Sequence, residues 1–71
     1  MAANDAMIFK GTIGASGSGA TVTALPEDHE AGWTYRVITA GTYATVKCEV
    51  GDLIICINDG TSATNSDWTV A

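Results

Sequence analysis

Four groups of residues in this chain are of types and spacings that could do chemistry. The first is the stretch GASGSGAT at 14–21, in which Gly14, Gly19 and Thr21 occupy the fixed positions of the phosphate-cradling pattern GxxxxGK[S/T]. Ala20 stands where that pattern has lysine. The glycines would let backbone N–H groups approach phosphate oxygens, but the lysine supplies the charge that reaches the outer phosphates. The second group is His29 with Cys48 and Cys56, the chain's one histidine and two cysteines. A thiol–imidazole nucleophile would need a cysteine beside His29, yet both cysteines belong to apolar stretches while His29 sits in the acidic segment EDHE. His29 is therefore expected to be solvated. Ser16, Ser18, Ser62 and Ser66 fall in loop-like sequence with no activating base beside them.

The third group, Asn58, Asp59, Asn65 and Asp67, offers oxygen ligands of the kind hard cations prefer, in a spacing that fits no EF-hand. Asx residues also bond their own backbone in turns, and that use outweighs the metal reading, so no metal and no cofactor are expected. The fourth is aromatic. Trp33, Tyr35 and Tyr43 could form a stacking platform for sugar rings, which would make the chain a carbohydrate-binding module recognising a host surface glycan. In so small a domain large aromatics are also the main source of core area, and core packing is favoured over the platform. The expected core comprises Phe9, Leu53, Ile55, Ile57 and Trp68.

The elements that must position these residues are short. Residues 1–5 read as a frayed N-terminus and 6–71 as one small β domain. Strands are expected at Ala6–Ile13, Thr21–Leu25, Trp33–Ile38, Thr42–Val46, Leu53–Ile57 and Trp68–Val70, separated by glycine and Asx turns. The apolar run LIICI at 53–57 should be covered on both faces. Pro26 followed by acids and Gly32 supports at most one helical turn near 26–31. About six short strands at this spacing make an all-β fold, a small antiparallel sandwich or barrel. That fold removes the phosphate loop. Its motif needs a helix after the glycines and a parallel sheet behind them, and Thr21–Leu25 is too short and too β-branched to be that helix.

Cys48 and Cys56 lack the density of disulfide-stapled mini-domains, and buried free thiols are the expected state. A two-residue turn at Gly51-Asp52 would set Cys48 opposite Ile55; a three-residue turn would align the two cysteines. Composition bounds the rest. With 46% hydrophobic and 15% charged residues the chain should pack rather than stay disordered. A 71-residue chain buries only about 60% of the surface it exposes when unfolded, so association with copies of itself or with neighbouring domains is expected. Eight acidic residues against three basic ones, a net charge of −5, disfavour nucleic acid and anionic membranes. No apolar run approaches the ~20 residues of a membrane span, and MAANDAMIF lacks the pattern of a signal peptide, so no membrane insertion is expected.

Four blocks occur in order: Phe9-Lys-Gly-Thr12, Ala24-Leu-Pro26, Glu49-Val-Gly-Asp-Leu-Ile-Ile55 and Asp67-Trp-Thr-Val70. Together with Gly32–Tyr43 they resemble the small β modules of phage tail-fibre and related virion structural proteins, common in phages and prophages of gut bacteria. The resemblance spans almost the whole chain. It implies no catalysis, and hence no enzyme. It implies instead a structural or adhesive module of a long, usually trimeric fibre, acting as spacer, adaptor or receptor-facing tip, made in the host cytoplasm and carried in the virion. A homo-oligomer, with a trimer as the first expectation, or contact with neighbouring fibre domains follows from it, and the chain would then be a fragment of a longer fibre protein. Where such modules have a short glycine turn after FKGT, this chain has the longer GASGSGA, which implies a tolerant, exposed loop. No binding residue is carried over from the family.

Overall fold

β-Branched and aromatic residues alternating with polar ones form most of the strands, and Gly51, with φ of 99°, makes one of the tight turns between them. The protein, a computed structural model, is described over residues 7–71; the frayed segment expected at 1–5 lies outside these. Six strands form in chain order: β1 (Ile8–Ile13), β2 (Trp33–Val37), β3 (Gly41–Tyr43), β4 (Val46–Cys48), β5 (Leu53–Cys56) and β6 (Trp68–Val70). The all-β fold expected from the sequence is the fold observed. Four strands make one sheet in the order β1-β2-β5-β6, and β3 and β4 make a separate two-stranded hairpin. β1 runs parallel to β2 and the other pairs are antiparallel, so the sheet is mixed, and it does not close into a barrel. Near 26–31, where at most one helical turn was expected, none forms. A 3-10 turn forms instead at Asn65–Asp67, directly before β6.

One face of the sheet carries Ile13, Tyr35, Val37, Ile54, Cys56 and Trp68, all buried. The hairpin and the β1–β2 connection cover that face, bringing Cys48, Tyr43, Ala44, Val22 and Leu25 against it. The strand expected at Thr21–Leu25 is reduced to one bridge, Val22 to Ile13, with Val22 N–H donating to Thr12 O at 3.1 Å. This bridge flanks the second half of β1.

Register explains which expected core residues are not core. Ile8 pairs with Trp33 and Phe9 with Thr34, but the next pair is Gly11 with Tyr35, so Lys10 is the extra residue of a β-bulge. Side chains alternate strictly along a regular strand, which would have put Phe9 on the same face as Gly11 and Ile13. The bulge moves Phe9 to the opposite face, where it is 63% exposed. In β5, Leu53 pairs with Arg36 and Ile55 with Thr34, which places both on that outer face, half-buried, while Ile54 and Cys56 point to the core. Ile57 follows the end of β5 and is 50% exposed. Of the five residues expected in the core, Trp68 alone belongs to it.

Candidate functional site

The GASGSGAT segment leaves β1 and returns to its edge. Gly14 N–H donates to Val22 O at 3.0 Å, and Thr39 Oγ1 accepts from Ala15 N–H at 3.1 Å and contacts Ser18 Oγ at 3.0 Å. A side chain at Gly14 could not fit, because a Cβ there would lie 2.6 Å from Thr39 Oγ1 and 2.9 Å from Ile38. Gly17 and Gly19 adopt φ of 92° and 88° at the exposed tip. No helix follows them, so no row of N–H groups is aimed at a phosphate position.

His29 departs most from expectation. It is 2% exposed rather than solvated, and its ring lies 5.1 Å from that of Trp68. Its Nε2 lies 2.7 Å from Asp67 Oδ2 and its Nδ1 3.2 Å from Pro26 O. A carbonyl and a carboxylate oxygen both only accept, so the protonated ring, with a donor at each nitrogen, is the form that satisfies both partners. The hydrogen bond to Asp67 raises the His29 pKa above its usual 6.5 against the opposing effect of burial. The backbone fixes this geometry. His29 and Gly60 exchange a pair of N–H···O bonds, both 2.9 Å, which join the 26–31 segment to the β5–β6 connection. Nearby, Asp59 Oδ1 accepts from Ala31 N–H at 2.8 Å, and Asp67 O accepts from Ile57 N–H at 2.7 Å. Gly60 is required at its position, since a Cβ would sit 2.7 Å from His29 Nε2 and 2.8 Å from Asp67 Oδ2. With both nitrogens committed inside the fold, His29 has no free nitrogen with which to accept a proton from a substrate. The pair is a clasp between two loops.

Two of the Asx residues considered as metal ligands are thus engaged inside the fold, Asp59 with the backbone and Asp67 with His29. Among the described residues no group of three or more His, Cys, Asp and Glu side chains is placed to hold an ion. Cys48 and Cys56 are free and buried on separate sheets, and burial pushes both thiols up from their usual pKa. The three aromatics of the proposed sugar platform do not share a surface. Tyr35 is 5% exposed in the core, 6.1 Å from the ring of Trp68. Trp33 is half-buried at the start of β2, an interior strand, with Lys10 Nζ 4.1 Å from its ring centroid. Tyr43 is half-buried on the hairpin and donates its hydroxyl to Thr39 O at 2.8 Å. Trp33 and Tyr35 share one face of β2, and it is the burial of Tyr35 and the placement of Tyr43 on the separate hairpin that break the platform.

Beside the clasp a concavity of about 400 Å³ runs along Asp28, Glu30, Trp33, Asp59 and Thr61, and two others lie elsewhere among the described residues. One, of about 290 Å³, lies between the 23–26 segment, the β3–β4 turn and residues 63–65, with Trp68 in its lining. The other, of about 330 Å³, is a groove along Met7, Ile55 and Ile57. Neither was legible in sequence, because each is assembled from segments far apart in the chain. The His29–Asp67 pair was missed for the same reason, and the only local hint was Gly60 in the Asn-Asp-Gly turn, where a missing Cβ was to be expected. No family model, curated protein or solved structure matches this chain.

Proposed function

We propose that this chain is a non-catalytic structural module of a phage tail fibre or related virion appendage, and that it associates with further copies of itself through the outer face of its four-stranded sheet. The phage assignment rests on the four ordered sequence blocks. The observation that carries the assembly role is the uncovered apolar face itself. Phe9 and Ile55 lie on either side of the buried Thr34 across three strands, Ile57 and Leu53 flank Ile55, and Met7 closes the groove beside it. Met7, Phe9 and Ile57 are each at least half exposed. Taking ~150–200 Å² for each large side chain, this patch presents on the order of 300–400 Å² of apolar surface, the range in which patches on small proteins mark interaction sites.

A second copy is the occupant favoured by charge. Among the described residues, the face defined by Phe9, Thr34, Arg36, Leu53, Ile55 and Thr69 holds no carboxylate, although the chain carries eight acidic residues. Copies meeting there keep their acids apart. The engagement of both His29 nitrogens supports the non-catalytic part of the reading.

Sedimentation equilibrium of the purified chain over a hundredfold concentration range tests the assembly role. A trimer or another closed oligomer is expected, reduced to monomer by Phe9→Glu or Ile57→Glu with the fold retained. A compact monomer at the highest concentration overturns it. For the phage assignment, tryptic peptides of the chain should appear in purified virions of the producing strain.

A further inference from the structure

We propose that the cleft between the 23–26 segment, the β3–β4 turn and residues 63–65 is a binding site for one uncharged sugar ring. This inference is independent of the assembly role and concerns a different surface. The cleft's volume of about 290 Å³ is at the lower limit of small-molecule sites, enough for a single ring. Its chemistry is mixed in a particular way. Thr23, Thr42, Thr64 and Asn65 offer hydroxyls and an amide, while the half-buried Tyr43 offers aromatic surface and the buried Trp68 backs the cleft. Leu25 and Pro26 complete the apolar part.

The lining excludes other classes. It contains no Asp, Glu, Lys, Arg or His, and its one titratable group, the Tyr43 phenol, already donates to Thr39 O. A charged ligand would lose its hydration without gaining a counter-charge. A wholly apolar ligand would cover the threonine hydroxyls and the Asn65 amide and leave them unpaired. Among the described residues no side-chain hydrogen bond within the protein engages Thr23, Thr42 or Asn65. A pyranose satisfies both halves of the lining, because its C–H face packs on an aromatic ring while its hydroxyls exchange hydrogen bonds with Thr and Asn.

The walls are also held in place. Pro26 O lies against His29 Nδ1, and Asp67, two residues beyond Asn65, lies against His29 Nε2, so one buried histidine ring spans two of the three walls. The third wall ends at Ala44, which sits at φ of 51° beside Thr45 at 62°. Two successive non-glycine residues in the left-handed region are costly and persist where the surroundings demand them. A site with preset walls loses little entropy on binding.

The test is a titration of the ¹⁵N-labelled protein with D-glucose, D-galactose and N-acetyl-D-glucosamine, and with glucuronate and glucosamine as charged counterparts. At least one neutral sugar should give saturable shifts at the Trp68 indole, Tyr43 and Asn65 with Kd in the ~mM range. The charged counterparts should bind more weakly. Thr42→Val combined with Asn65→Ala should weaken binding about tenfold, the loss expected for neutral hydrogen bonds, with the rest of the spectrum unchanged. No saturable shift from any neutral sugar at ~50 mM overturns the proposal. So does binding that the double variant leaves intact, or glucuronate binding as tightly as the neutral sugars.

Discussion

At the scale of single residues, the His29–Asp67 pair makes stability depend on pH in a definite direction. The folded imidazole holds its proton more tightly than the unfolded chain does at its usual pKa of 6.5, chiefly through the hydrogen bond to Asp67. Folding therefore takes up a proton between the two values, and the contribution is complete below about 6.5 and is lost as pH rises through the folded-state pKa. The midpoint of thermal unfolding should accordingly fall as pH is raised from about 6 towards 9. In His29→Gln that slope should vanish, and stability at pH 6 should drop by about 2 kcal/mol as Asp67 loses its charged donor. A wild-type midpoint that is flat or rises across this window would mean that the ring is neutral when folded. Gly60→Ala should reproduce most of the loss, because its Cβ would meet both partners of the pair. None of this was legible at residue scale. His29 reads as one polar residue among acids, and the partner that draws it inside is 38 positions away. Trp68, by contrast, was legible as core because a large aromatic within an alternating strand has few other places to go.

At the scale of elements, β6 falls where alternation places it and β2 and β5 agree to within one residue, while the departures trace to turn chemistry that the sequence does not advertise. Thr42–Val46 reads as one strand because Ala44 and Thr45 are not turn-formers. They nonetheless make the two-residue turn of the β3–β4 hairpin, Tyr43 pairing with Val46, with both residues at positive φ. Such turns favour Asn-Gly, and a β-branched residue at positive φ is strained by about 1–2 kcal/mol. Replacing Ala44-Thr45 by Asn-Gly should therefore raise stability by about 1–2 kcal/mol, read as a higher urea midpoint with unchanged slope. A loss of stability would show that the threonine side chain makes compensating contacts, beginning with its Oγ1, which donates to Ala44 O at 2.5 Å. The Lys10 bulge was hidden for a related reason: an extra residue changes the face of everything before it without changing the apolar pattern itself. It turns Phe9 outward, and with it the sheet acquires its exposed apolar row.

For the whole molecule, the run Leu53–Cys56 illustrates the limit of reading burial from hydropathy. Continuous apolar sequence predicts a strand covered on both faces, and within one copy only the Ile54 and Cys56 face is fully covered, Leu53 and Ile55 being half-buried. The alternate residues, Leu53 and Ile55, wait for something outside the chain. If the cover is a second copy, each association brings together molecules of net charge −5, and long-range repulsion opposes the contact that the apolar face favours. Salt screens that repulsion while leaving apolar burial intact or strengthened, so the association constant should rise as ionic strength goes from ~0.02 to ~0.3 M. The opposite sign, dissociation on adding salt, would mean that ion pairs hold the copies together, and the outer sheet face, which carries Arg36 and, among the described residues, no acid, could not then be the interface. Measured alongside Phe9→Glu, the two salt curves separate the contributions. The variant adds one negative charge per copy and removes one apolar anchor, so its association should be weaker at every ionic strength and its salt dependence steeper.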